Sequence, residues 1–167
     1  LAAAGPGARR ALARAGALVT IAGALALVVH GLVVQRARGR WTTDPSWHRM
    51  TSWSLAVAPV WLLIGIGIAG APLLADGMLA GPWASTAIAP ALALGWVAQV
   101  LVGSWTHLLP AIGPGDPIAH ARQRAMLGRA ATPRVVGLNL GAALTTVGVA
   151  ADAAPLSIAG LAAAALS

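Results

Sequence analysis

The sequence predicts an all-α, polytopic transmembrane helix bundle. Two observations carry that reading. Hydrophobic residues make up 58% of the 167 residues, charged residues only 9%, and the mean hydropathy is +0.79, which leaves too little polar surface to cover a water-soluble globule of this size. Four charge-free runs, 15–35, 50–75, 77–106 and 135–151, approach or exceed the roughly 20 residues needed to cross about 30 Å of hydrocarbon.

Taken in order, the runs predict four complete spans, at about 15–35, 50–74, 83–109 and 134–151, with a partial fifth at 155–167. Arg9, Arg10 and Arg14 precede the first span in the manner of a signal peptide, but the apolar run is long for one and no small-residue cleavage site precedes Arg36. Asp44-Pro45 offers an N-cap acceptor followed by a residue suited to the first helical position. Asp116-Pro117 and Thr132-Pro133 repeat the device. Pro59 and Pro90 predict kinks in the second and third spans, while Ala71-Pro72 with Asp76-Gly77, and Pro110 with Gly113-Pro114-Gly115, predict their ends. Residues 118–130 fit either a short basic helix on the membrane surface, with Arg122, Arg124 and Arg129 near lipid phosphates, or a solvated loop. The whole reads as one module; starting at Leu1 without Met and stopping inside an apolar run, it is expected to be a piece of a longer protein.

All cationic residues are Arg, and the net charge is +7. Nucleic acid is not the expected partner, because the arginines cluster beside apolar spans where anionic lipid headgroups are available. Arg36, Arg38, Arg40 and Arg49 flank the first inter-span loop, and Arg122, Arg124, Arg129 and Arg134 the third. Both loops fall on one side, against Arg9, Arg10 and Arg14 on the other, so loops 36–49 and 111–134 are predicted to be cytoplasmic in a bacterial inner membrane. Trp41, Trp47, Trp53 and Trp105 are expected in an inner aromatic belt and Trp83 at the outer surface, with Trp61 and Trp96 packed deeper.

With no cysteine, the chain can hold no disulfide, thiolate iron–sulfur site or blue-copper centre of its own. It has no phosphate loop, nucleophile motif, HExxH or paired-carboxylate site, and no carboxylate within a span, so no catalytic residue is assigned. His30 and His107 lie near the ends of the first and third spans. Packed together they would make a bis-His haem site or part of a copper site; separately, each would cap a helix C-terminus. His48 and His120 lie in the basic interfacial segments, where solvation or phosphate contact is expected. Met50, Met78 and Met126 form no Met-rich copper pattern.

Gly95, Gln99, Gly103 and His107 recur every fourth residue, making an inclined stripe of small and polar groups on a helix. Gly137 and Gly141 flank Asn139 in a GxxxG arrangement, which permits close helix approach while the amide bonds across the interface. Gly95, Gln99, Gly103, Gly137, Asn139 and Gly141 are therefore expected to form the packing seam of an antiparallel pair, the third and fourth spans.

On GWVAQVLVGSWTHLLP (95–110), the following Gly113-Pro114-Gly115 and RVVGLNLG (134–141), the chain resembles the multi-helix membrane portion of bacterial proteins of the multicopper oxidase and copper nitrite reductase type. More distantly it is similar to the helices of haem-copper oxidase subunit I. The resemblance implies an inner-membrane module associated with copper or haem, anchoring or assembling a redox protein whose cupredoxin domain lies outside this stretch. The residues alone also allow a structural or binding module without cofactor, or a transporter of small solutes or metal ions.

Overall fold

The computed structural model describes residues 5–37, 39, 47–78 and 81–167, with the side chains of 47, 48 and 83–85 outside the description. The predicted cap at Asp44-Pro45, the belt position Trp41, and Arg38 and Arg40 therefore lie outside the described residues, and Trp47, His48 and Trp83 are described only as helical backbone. The described chain is helical: α1 (Pro6–Ala37), α2 (Trp47–Asp76), α3 (Pro82–Pro90), a π segment (Ala91–Ala98), α4 (Gln99–Ile112), α5 (Pro117–Leu127), α6 (Ala131–Ala150) and α7 (Ala154–Ala165).

Three stretches are long and apolar enough to cross a membrane: Pro6–Ala37, Arg49–Asp76 and Thr86–Ile112, the last running through α3, the π segment and α4. They contain most of the first three predicted spans. The fourth and the partial fifth do not reach that standard. α6 has the length, but Arg134, Asn139, Thr145 and Thr146 dilute its apolar character, and α7 has only 12 residues, about 18 Å of helix.

Successive long helices run antiparallel, and named contacts fix their register. Near one end of α1, Gln35 Nε2 donates to the Ser52 carbonyl at 2.7 Å; further along, Gly31 faces Pro59 and Gly70 faces Ile21. At the far end Arg14 donates to the Ala75 carbonyl at 2.8 Å and Arg10 lies over Gly77, whose φ is +69°. Arg14 thereby supplies a cationic donor to the carbonyl end of α2, an interaction favoured by the helix dipole. That role accounts for a basic residue at the end of the bundle where orientation by arginine count does not expect one.

α2 and the third apolar stretch are likewise antiparallel. Gly65 meets Leu92, Gly95 meets Trp61, Gly103 meets Ser54, and Thr51 pairs with Thr106. α6 runs back beside them, with Val135 near Met50 and Val102 and Ala142 near Trp61 and Ala91. α7 then folds against α6 at very short range. A Cβ on Gly141 would lie 2.7 Å from the Gly160 carbonyl oxygen, and one on Gly160 would lie 2.8 Å from that of Gly141. Contact between backbones at this range requires glycine on both helices.

This alternation gathers the start of α2, the end of α4, α5 and the start of α6 at one end of the bundle, with Arg36, Arg49, Arg122, Arg124, Arg129 and Arg134. The described arginines that flank the first connection, Arg36 and Arg49, thus share an end of the bundle with Arg122, Arg124, Arg129 and Arg134.

α2 continues through Pro59 and Pro72 and ends at Asp76, at the expected Asp76-Gly77 break, and α4 continues through Pro110 and ends at Ile112, before Gly113-Pro114-Gly115; neighbouring helices support such prolines inside apolar bundles. At Pro90 the regular ladder gives way to the eight-residue π segment. Pro90 lacks the N–H that would bond the Thr86 carbonyl, and a wider turn is one way to absorb that loss. Residues 117–127 form a true helix, capped as expected by Asp116 Oδ1 accepting from Ala119 N at 2.8 Å. α6 begins at Ala131, before Thr132-Pro133, behind Ala130 in a left-handed conformation with φ +52°. Because that conformation strains any residue bearing a Cβ, Ala130→Gly is expected to stabilise the bundle by about 1 kcal/mol. Reversible unfolding in mixed micelles measures the difference.

Candidate functional site

The polar interior lies where α2, the π–α4 junction and α6 converge. Trp61 is only 8% exposed and Gln99 is fully buried. Trp61 Nε1 donates to Asn139 Oδ1 at 2.7 Å, and Gln99 Nε2 donates to the same oxygen at 3.0 Å. Asn139 Nδ2 donates to Gln99 Oε1 at 3.3 Å and to the Val135 carbonyl at 2.7 Å.

Chemistry fixes the orientation of both amides. An indole N–H only donates and a backbone carbonyl only accepts, so Asn139 must turn its oxygen to Trp61 and its nitrogen to Val135. Gln99 must then present nitrogen to oxygen and oxygen to nitrogen. Both lone pairs and both N–H protons of Asn139 are used. This is a closed amide pair with an indole brace.

A second polar tier lies towards the arginine-rich end. Thr106 Oγ1 donates to the Gly103 carbonyl at 2.8 Å, so the 3.2 Å contact between Thr51 and Thr106 hydroxyls has Thr51 as donor. Ser54, wholly buried, packs on Gly103, and its Oγ has no hydrogen-bond partner among the described residues.

The fourfold stripe is only partly a seam. Gly95, Gln99 and Gly103 are buried, but His107 is half-buried and Thr106 takes the next buried position. On an α-helix each step of four residues rotates about 40°, so after Gly103 a step of three follows the interface better. The six expected seam residues divide among three contacts. Gly95 and Gly103 receive α2, Gly137 and Gly141 receive α7, and Gln99 and Asn139 join α4 to α6. Trp61, which the sequence marks only as a deep packing residue, is the missed member; its indole N–H, a donor needing a partner in an apolar span, was the available signal.

His30 and His107 are not brought together. His30 is exposed on α1, which packs mainly on α2. Gly31 is level with Pro59 and Thr106 with Thr51, a difference of eight residues along α2, or about 12 Å. The pairing of the first and third spans that would bring these imidazoles together is not among the main helix contacts, and no group of three or more His, Asp or Glu that could hold a metal ion occurs among the described residues. His120 is engaged locally, Nε2 donating to the Gly113 carbonyl at 3.0 Å.

Of the basic residues, Arg122 and Arg129 are exposed and Arg124 is half-buried. Arg134 is turned inward: Nε donates to the Ser167 carbonyl at 2.6 Å and Nη1 to that of Leu127 at 2.8 Å, tying α5 and the end of the α7 segment to the start of α6. Trp53 and Trp105 are exposed, as interfacial tryptophans should be, Trp61 is buried and Trp96 half-buried.

Compared with protein-family models, with curated proteins and with solved structures, the chain gives no match.

Proposed function

We propose that the chain is a membrane-embedded helical module that anchors and assembles a larger redox protein of the copper- or haem-associated kind. The single observation supporting the anchoring role is the closed Trp61–Asn139–Gln99 cluster, in which Asn139 fills its whole hydrogen-bonding capacity within the protein, three bonds reaching Trp61 of α2 and Gln99 of α4 and one returning to the Val135 carbonyl of its own helix. Such groups lock helices rather than line a path for solute, which disfavours transport. The redox association rests on the resemblance of 95–110 and 134–141. In this reading the copper is carried by a cupredoxin domain joined to the module, and the chain contributes no catalytic residue.

α6 is the fourth crossing in this proposal and α7 the beginning of a fifth. The arginine-rich end, with loops 36–49 and 111–134, faces the cytoplasm of a bacterial inner membrane.

The test is spectroscopic. The chain purified in detergent is expected to show no Soret band and no stoichiometric copper, while the same chain isolated from native membranes brings with it a protein with copper-centre absorption or bound haem. A Soret band from the chain alone that disappears with His30→Ala or His107→Ala would replace anchoring by cofactor binding. Isolation from native membranes free of any copper or haem protein would leave the cofactor-free structural module.

A further inference from the structure

α5 divides its side chains cleanly. Ala119, His120, Gln123, Arg124 and Leu127 are half-buried, while Pro117, Ala121, Ala125 and three residues with long side chains, Ile118, Arg122 and Met126, are exposed. These three recur at steps of four and so share one face, spread over about 80°; Arg124 points about 200° away from Arg122. Ile118 is 72% and Met126 63% exposed, large apolar side chains on either side of a cation. Arg129, also exposed, follows just after the helix.

The inner face is fixed. His120 bonds the Gly113 carbonyl, Gln123 lies beside Gly113, and α5 packs on α4 and α2. The helix therefore cannot turn its apolar residues inward. Between Ile112 and Val135 the only acid is Asp116, whose Oδ1 is engaged in capping the helix. Among the described residues, the outer face thus presents positive charge with no carboxylate partner next to exposed apolar carbon, four residues beyond the end of a membrane-length apolar stretch.

We infer that α5 is an interfacial helix that seats Ile118 and Met126 at the headgroup–acyl boundary and binds anionic phospholipid through Arg122 and Arg129. Arg124 and Arg134 take no part, because the fold directs them inward. A cation flanked by apolar side chains matches a phosphate above hydrocarbon better than it matches free phosphate or nucleic acid, which offer nothing to the apolar groups. The inference rests on the chain's being membrane-embedded and not on its redox association.

The absence of cysteine makes the test direct. A fluorophore attached through Met126→Cys reports on lipid contact in reconstituted vesicles at low salt, using brominated phosphatidylglycerol and brominated phosphatidylcholine as quenchers. The expected result is quenching by both lipids, with a preference for the anionic one. Arg122→Gln and Arg129→Gln should each lower that preference about five-fold, the value of one basic residue near a charged surface, and Arg124→Gln should leave it unchanged. The same label attached through Gln123→Cys should be quenched weakly. Equal quenching by the two lipids, a preference unaffected by Arg122→Gln and Arg129→Gln, or displacement of the anionic lipid by millimolar inorganic phosphate or by an RNA oligomer would overturn the inference. A Soret band in the isolated chain would overturn cofactor-free anchoring and leave this result untouched.

Discussion

Gly95→Ala is expected to disrupt the bundle more than any other single methyl group added to its interior face at α2. The new Cβ would lie 2.7 Å from the Trp61 Cβ and closer still to the inner atoms of the indole. These atoms are at the root of a large side chain, so rotating its far end gives no relief. Trp61 must move away, and its Nε1 hydrogen bond to Asn139 goes with it. Overpacking of this kind costs about 1–3 kcal/mol, and losing the buried bond adds about 0.6 kcal/mol by the average for membrane proteins. Equilibrium unfolding in mixed micelles should therefore show a loss of about 2–3 kcal/mol, with a red shift in tryptophan emission. Gly67→Ala, on α2 with nothing within 4 Å of the new methyl group, should be close to neutral.

Asn139→Leu carries the second large effect. It conserves approximate size while stranding the Trp61 N–H and both ends of the Gln99 amide, which are buried where water cannot replace their partner. The expected loss is about 2 kcal/mol. Gln99→Leu should cost less, about 1 kcal/mol, because Asn139 keeps Trp61 and the Val135 carbonyl. The order of the two, read from unfolding midpoints, distinguishes a hub from an ordinary pair.

The legible parts of this protein are those with local causes. Length and hydropathy locate α1, α2 and the third long stretch because an apolar run long enough to cross hydrocarbon has few alternative uses. Asp116-Pro117 announces the start of α5 because capping is decided within four residues. Gln99 and Asn139 stand out because an amide inside an apolar span needs a partner, and they did find one another. What could not be read was direction. Glycines at GxxxG spacing mark close approach without naming the neighbour, so Gly137 and Gly141 point to α7 instead of α4. His107 continues the fourfold spacing in the sequence but rotates out of the interface on a helix of 3.6 residues per turn. Pro90 announces an irregularity, yet nothing local distinguishes a kink from the π segment that follows it. Arg134, counted by sequence only towards the orientation of the third inter-span loop, is drawn inward by carbonyls that only the assembled hairpin presents.

The central claim, that a closed amide cluster locks α2, α4 and α6 inside a membrane, is tested most directly by a double-mutant cycle on Gln99→Leu and Asn139→Leu in a bilayer-like environment. The account predicts a coupling energy of about 1 kcal/mol, with the double variant no less stable than Asn139→Leu alone, because each substitution removes the partner the other would have stranded. Strictly additive losses would contradict it, showing that the two amides do not pair in the folded protein.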